Sequence, residues 1–210
     1  MRNDIKFDFE FYKEILSTLK QNFLFCPFKD AAKIINHNNT KPFVLLRHDV
    51  DLDLEHALKF ARIEAEAGII SCYMIMTNSP FYNLLDNLSI SIIRELISIG
   101  HEIGLHFDFQ NNFHRNSDTT IEMIEEDINQ ASKILEDIID VKIHSISFHR
   151  PLHNFLNGPF LIREKVNAYS AELMKWYLSD SKGNWREGNP LHALQNPKDK
   201  ILQLLIHPIW

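Results

Sequence analysis

The sequence predicts an α/β fold in which seven mostly parallel strands alternate with helices and curve into a compact, incomplete barrel. Short apolar runs of strand length alternate along the chain with segments in which apolar residues recur at helical spacing. This alternation is typical of a parallel sheet with right-handed crossovers. Four of the runs also end in an acid or a histidine, at Asp49, His106, His149 and His207. The carboxyl ends of strands are where α/β folds build their sites.

The predicted strands are apolar runs bounded by turn residues or polar clusters. They lie at 43–46, 69–76, 103–105, 143–147, 166–170, 175–178 and 201–206. The helices are predicted from apolar residues three or four positions apart. They lie at 8–20, 28–35, 54–67, 89–99 and 119–138.

Local signals mark where some of these elements begin, end or pack closely. Asp53 is expected to cap the following helix with its side chain, and Gly68 to end that helix. Thr119, followed three residues later by Glu122, predicts a capping box for the helix at 119–138. Gly104 in a very short strand indicates close packing or a bend at that point.

Size and composition suit one domain, 1–210, with a helical segment at 1–40 packed on it. The net charge of -6 argues against nucleic acid or an anionic membrane as the partner, because both bind basic surfaces. No apolar run approaches the ~18 residues of a membrane span. The first residues lack the apolar core of a signal peptide. With only Cys26 and Cys72 and no pattern of bridges, we expect a cytoplasmic location.

The polar residues at the strand ends predict a cation site or a proton-transfer site. Asp49 and Asp51 lie two apart, so on a strand they point to the same face. Two like charges this close need a metal or another cation if both are to stay ionised. His106, His149 and His207 end further strands and are expected at the same edge of the sheet.

Some of these residues also have ordinary structural interpretations. Asp51 could cap the following helix, as is expected of Asp53. His48 should point to the face opposite the two aspartates, and His101 and His144 lie near the beginnings of their strands, where structural roles are expected. His207 taken alone suits a core histidine as well as a functional one, and only its grouping with the other strand ends favours function.

These motifs together resemble the NodB-homology polysaccharide deacetylases, and among them the divergent branch whose first motif reads His-Asp-Val-Asp. The resemblance spans residues 43–207 and implies a metal-dependent, distorted (β/α)7-type barrel that hydrolyses N-acetyl groups of amino sugars. It implies that Asp49 is the catalytic base, that Asp51 and His106 bind the metal, and that His207 is the catalytic acid.

The same resemblance implies three substrate-binding residues. Arg150 lies in Phe-His-Arg-Pro, which resembles an Arg-x-Pro motif that lines the groove. Asp180 and Trp185 resemble an Asp–Trp element, and Trp185 would stack on the apolar face of the sugar.

The chain also departs from the family pattern. The second metal histidine of the family lies four residues after the first, and that position is Gln110 here. His149 stands where the family has arginine. We infer that His149 is the third metal ligand, with Asp108 or His114 as reserves.

The sequence therefore predicts a hydrolase, dependent on a divalent metal, most simply Zn²⁺, that cleaves an amide (N-acyl) bond on an amino sugar or a sugar-linked amide. Mixed His/Asp ligation with an open position suits zinc. The expected partner is a carbohydrate, or a nucleotide- or lipid-linked sugar, in surface polysaccharide biosynthesis. The alternative is a non-catalytic carbohydrate-binding barrel of the same fold, which Gln110 favours. A phosphoester hydrolase is less favoured, because no Gly-rich or basic phosphate cradle is present.

Overall fold

The computed structural model describes residues 7–110, 120–153 and 155–209. Its helices are α1 (Phe9–Asn22), α2 (Leu54–Glu66), α3 (Asn87–Ser98), α4 (Ile121–Ile139) and α5 (Pro190–Gln195), with a 3-10 helix at Phe28–Lys33. Its strands are β1 (Leu24–Phe25), β2 (Phe43–Val50), β3 (Cys72–Ile75), β4 (Glu102–Phe107), β5 (Ser145–Phe148), β6 (Leu161–Ile162), β7 (Lys165–Asn167), β8 (Tyr177–Ser179) and β9 (Ile201–Ile206). Every predicted strand and helix has a counterpart, and β1, β6 and α5 are additional to the prediction.

The strands form one curled sheet in the order β6-β7-β5-β4-β3-β2-β9-β8, and β1 pairs with the start of β2. Neighbours along this order are parallel, except that β6 and β7 are antiparallel. The sheet forms a half-barrel, which confirms the predicted α/β class and its distorted barrel. Because these strands are parallel, the carboxyl ends of β2, β4, β5 and β9 meet at one edge.

β2 and β9 pair along six residues. Phe43 pairs with Ile201 and His48 pairs with Ile206, while β8 lies on the other side of β9. All six residues of β9 are buried. The predicted strand at 201–206 is therefore confirmed, and it lies in the interior of the sheet.

The two faces of the sheet are covered differently. On the convex face, α1 packs over β2 and β9 through residues such as Leu16 and Leu204, and α2, α3 and α4 pack over β3, β4 and β5. On the concave face, Leu45 and Met74 help to fill the interior. Asp49 follows Leu45 by four positions on the same strand, so it faces the interior as well.

The local signals are mostly confirmed. Asp53 caps α2 by accepting a hydrogen bond from the backbone N–H of His56, and Gly68 follows that helix with φ of 67°. Gly104 is needed for close packing, because an added Cβ would lie 2.2 Å from Met74 Sδ. The cap of α4 was predicted one residue too early: Thr120 accepts the bond from Met123, and Thr119 lies outside the described residues. Two adjacent threonines offer the same capping chemistry, so sequence does not separate them.

A fully buried carboxylate ties the first helices to the sheet behind the site. Glu64 of α2 accepts hydrogen bonds from the hydroxyl of Tyr12, from His48 Nε2 at 2.6 Å, from Ser71 Oγ at 2.6 Å and from the Tyr73 hydroxyl at 2.7 Å. Burial alone raises the pKa of Glu64, but His48 and the hydrogen bonds lower it to about 2. The ionised carboxylate therefore joins α1, α2, β2 and β3, and His48 faces this cluster, as predicted, and not the concave face.

Replacing Glu64 should destabilise the fold strongly. Glu64→Ala removes the acceptor for four buried donors and should lower the free energy of unfolding by about 3–5 kcal/mol. Glu66→Ala, on the exposed side of the same helix, should change it by less than about 0.5 kcal/mol. The pKa of Glu64 is lower in the folded state than its ordinary 4.5, so its contribution is present above pH 4.5 and is lost as the pH falls towards 2. Urea unfolding of both variants measures this, and equal losses would contradict it.

Candidate metal centre

Three of the predicted site residues converge at the carboxyl ends of β2, β4 and β5. His106 Nε2 lies 3.0 Å from Asp51 Oδ1, and His149 Nδ1 lies 3.1 Å from the same oxygen. One ligand atom from each residue lies within 4.8 Å of the others. The structure thus brings together the ligand set that the sequence predicts, a carboxylate and two imidazoles.

The electrostatics of this group fit a divalent cation. Burial alone raises the pKa of Asp51, but its hydrogen bonds to His106 and His149 lower it well below the usual range. The hydrogen bond to Asp51 also raises the pKa of His149. Zinc with bonds of about 2.0–2.1 Å places tetrahedral ligand atoms roughly 3.3 Å apart, close to the two distances found here. Asp51, His106 and His149 would hold the ion, with a further position open to a ligand.

Asp49 lies beside this group, held by a buried arginine. Arg47 Nη2 donates to Asp49 Oδ2 at 3.1 Å, and Arg47 Nε lies 3.0 Å from Asp49 Oδ1. Arg47 is fully buried and also donates to Gln203 Oε1 at 2.8 Å and to the Tyr169 hydroxyl at 3.0 Å. Although burial alone lowers the pKa of Arg47, Asp49 raises it above the ordinary value. The guanidinium therefore holds the Asp49 carboxylate in a fixed position beside the ligand group.

His207 and Asp180 form a second pair at the same edge. His207 Nδ1 lies 2.6 Å from Asp180 Oδ1, and the backbone N–H of His207 lies 3.0 Å from both carboxylate oxygens. Burial alone lowers the pKa of His207, but the hydrogen bond to Asp180 and the charges of Asp49 and Asp51 raise it above its ordinary value. His207 is therefore suited to hold a proton near neutral pH, with Nε2 available to donate it.

The Asp180–His207 contact predicts a shift in the pH dependence of turnover. An acid must be protonated, so turnover should fall as the pH rises through the pKa of His207. Asp180→Asn removes the carboxylate that raises this pKa, and the basic limb of the rate profile should move to lower pH. His207→Ala should abolish that limb and lower turnover about 100-fold. A basic limb that does not move in Asp180→Asn would contradict the role of His207.

The residues predicted to bind substrate lie in different settings. Arg150 is exposed and donates to Gln110 Oε1. Trp185 is buried, packs with the α1 side of the core, and lines a cavity of about 140 Å³ between β8 and α5. Asp180 is buried against His207. Substrate binding by these three residues stays a prediction.

Of the two reserve ligands, Asp108 alone lies among the described residues, and it does not join the three convergent residues. Asp108 accepts a hydrogen bond from the backbone N–H of Gln110 at 2.9 Å and lies outside the ligand group found among the described residues. Gln110 is engaged with Arg150. His114 lies outside the described residues. His101, predicted to be structural, accepts from the backbone N–H of Ser71 at 3.2 Å and donates to the carbonyl of Ala61.

Sequence reasoning missed two polar residues at the site, Arg47 and Ser147, and a third behind it, Glu64. Arg47 lies two residues before Asp49, and Ser147 lies two residues before His149. Because residues two apart on a strand point to the same face, this spacing alone places Arg47 and Ser147 on the side of the site. Glu64 lies three residues after Ala61 on the buried face of α2, where a charged residue signals a buried partner. For each of the three residues, the sequence predicts the face on which the side chain lies but not the residue to which it bonds.

Comparisons with solved structures agree on the fold. No family model matches the sequence, and no curated protein matches it. A deacetylase of Streptococcus pyogenes in complex with acetate superposes with a TM-score of 0.50 at 11% identity, over 65% of this chain and 60% of that one. A CE4 family pseudoenzyme of Bacillus anthracis superposes with a TM-score of 0.50 at 12% identity, over 80% of this chain and 56% of that one.

A mutant CE4 pseudoenzyme with restored enzymatic activity matches equally well, with a TM-score of 0.50 at 12% identity over 80% of this chain and 57% of that one. The chain therefore spans less than two thirds of the length of each of these three structures. The half-barrel has the fold of the CE4 deacetylases and pseudoenzymes.

Proposed function

We propose that this chain is a metal-dependent hydrolase that removes an acyl group from the nitrogen of an amino sugar or of a sugar-linked amide. The observation that carries the proposal is the meeting of three groups at one edge of the sheet. These groups are the ligand set of Asp51, His106 and His149, the Asp49 carboxylate held by Arg47, and His207 held by Asp180. A ligand set flanked by a carboxylate that can accept a proton and an imidazole that can donate one suits hydrolysis of an amide.

In the proposed reaction, the metal ion, Asp49 and His207 have separate tasks. A divalent ion held there supplies a positive charge that polarises the acyl carbonyl. Asp49 accepts a proton from the attacking water as its oxygen bonds to the carbonyl carbon. His207 donates its Nε2 proton to the nitrogen as the C–N bond breaks, so that a carboxylic acid and a free amine leave.

Asp180 acts in this scheme as a positioning residue, because its carboxylate fixes the ring of His207 and raises its pKa. Arg47 has the corresponding role for Asp49. The exposed Arg150 and Trp185 beside its cavity are proposed to contact the sugar. The substrate would be a sugar precursor, nucleotide- or lipid-linked, of a surface polysaccharide.

The proposed cytoplasmic location rests on the cysteines. Cys26 and Cys72 are both buried and unpaired, which suits a reducing compartment. None of the described helices combines the length and hydropathy that crossing a bilayer requires.

A second candidate is a carbohydrate-binding barrel without activity. The similarity to a CE4 pseudoenzyme is as high as that to a deacetylase, and Gln110 occupies the position of a metal histidine in the resembled motif. A pure binder, however, has no use for a buried base with its own arginine or for a histidine with its own carboxylate.

Acyl release separates the two candidates. The purified chain, loaded with zinc, is incubated with N-acetylglucosamine oligomers and with a nucleotide-linked N-acetyl amino sugar, and free acetate is measured. We expect release that stops on addition of a chelator and in Asp51→Asn. Sugar binding that is unchanged by chelation, with no acetate released, would establish the binder and overturn the hydrolase.

A further inference from the structure

We propose that Ser147 is a positioning residue that joins the base Asp49 to the ligand His106 and determines which nitrogen of His106 faces the metal. The inference rests on the proposed metal site. Ser147 lies on β5 directly across from His106 of β4 and is fully buried. Its Oγ lies 2.6 Å from His106 Nδ1 and 3.2 Å from Asp49 Oδ1.

The positions of the protons in the hydrogen-bonded series from His106 through Ser147 to Asp49 follow from the chemistry of the three groups. A serine hydroxyl has one proton to donate, and an ionised carboxylate only accepts. Ser147 Oγ donates this proton to Asp49 Oδ1. The contact of 2.6 Å with His106 must then be made by the Nδ1–H of His106, donating to Ser147 Oγ.

Because Nδ1 of His106 is held by Ser147, Nε2 is the nitrogen that faces Asp51 and the metal position. His106 Nε2 lies 3.0 Å from Asp51 Oδ1. A divalent ion bound there would take the place of the proton that Nε2 shares with Asp51, and both atoms could then act as ligands. Ser147 thus prepares His106 as a ligand, the role that partners of a ligating histidine have at metal sites.

The arrangement also connects the ligand to the base. Asp49 and His106 share one hydroxyl, so a change at either side is transmitted through Ser147. Neither the resemblance to the deacetylase motifs nor the ligand spacing assigns any role to this residue.

The neighbouring serine provides a matched control. Ser145 lies two residues earlier on the same strand and the same face, and it is also fully buried. Its hydroxyl contacts Cys72 Sγ at 3.4 Å and Glu102 Oε1 at 3.2 Å, away from the ligands. Ser145→Ala and Ser147→Ala therefore remove the same group from similar surroundings, and a merely structural role would affect both alike.

Zinc affinity, measured by competition with a chromophoric chelator, tests the proposal. We expect Ser147→Ala to weaken binding about 10- to 100-fold, Ser145→Ala to stay within about threefold of the parent chain, and Ser147→Thr, which keeps the hydroxyl, to recover most of the loss. Equal affinities in Ser147→Ala and Ser145→Ala would overturn it.

A second measurement needs no variant. In the zinc-loaded parent chain, ¹⁵N NMR of the histidine rings should show His106 protonated at Nδ1 and metal-bound at Nε2. A proton on Nε2 would overturn the role of Ser147 while leaving the proposed function standing. A parent chain that binds no zinc would overturn both.

Discussion

Deleting residues 201–210 is expected to abolish cooperative folding, not only activity. β9 lies between β2 and β8, and all six of its residues are buried. Its loss exposes the long edge of β2 and removes Gln203, a partner of the buried Arg47. Thermal melting followed by circular dichroism should show no cooperative transition.

The control is a shorter deletion. Removing 208–210 leaves β9 intact, and this variant should still melt cooperatively at a cost of about 2–3 kcal/mol, in line with the loss of large apolar side chains. Trp210, expected to pack behind the strand, lies outside the described residues. A soluble 1–200 fragment that melts cooperatively would show that β9 is peripheral.

Asp49→Asn is expected to lower turnover 100-fold or more while zinc is retained, because the base is lost and the ligands are untouched. The same change leaves Arg47 buried without its counterion, so it should also cost about 3–5 kcal/mol of stability. Turnover, zinc content and urea unfolding are measured on the same preparations.

A double variant separates the two effects. Arg47→Met combined with Asp49→Asn removes both buried charges, and stability should recover substantially while turnover stays low. Near-normal turnover in Asp49→Asn on any substrate that the parent chain cleaves would refute the assignment of Asp49 as the base.

The fold was predictable because its signals are local. Strand-length apolar runs and the helical spacing of apolar residues define β2, β9 and α4 without knowledge of their partners. The elements that were missed are short: β1 and β6 have two residues each, and α5 has six. Elements of this length carry too few residues to show a period.

The positions of the site residues follow from the fold, but their contacts do not. A parallel sheet brings all carboxyl strand ends to one edge, so Asp51, His106 and His149 could be grouped from the sequence alone. The bond between Arg47 and Gln203 joins residues 156 positions apart. Such a bond depends on strand order, which spacing along the chain does not specify.

Asp180 is another residue whose contact could not be predicted from the sequence. Its motif resemblance implies substrate binding, whereas its carboxylate is buried against His207. This contact depends on the pairing of β8 with β9, in which Ser179 lies beside Leu205. The resemblance located the residue, and the register of two strands determined its neighbour.

Metal content is the most direct test of the central claim. The purified chain, reconstituted with zinc and freed of excess, should hold about one divalent ion per chain. His106→Ala should lose most of it, because His106 is buried between Asp51 and Ser147, whereas His153→Ala, at an exposed position near His149, should keep it. Full occupancy in His106→Ala, or no bound metal in the parent chain, would contradict the account.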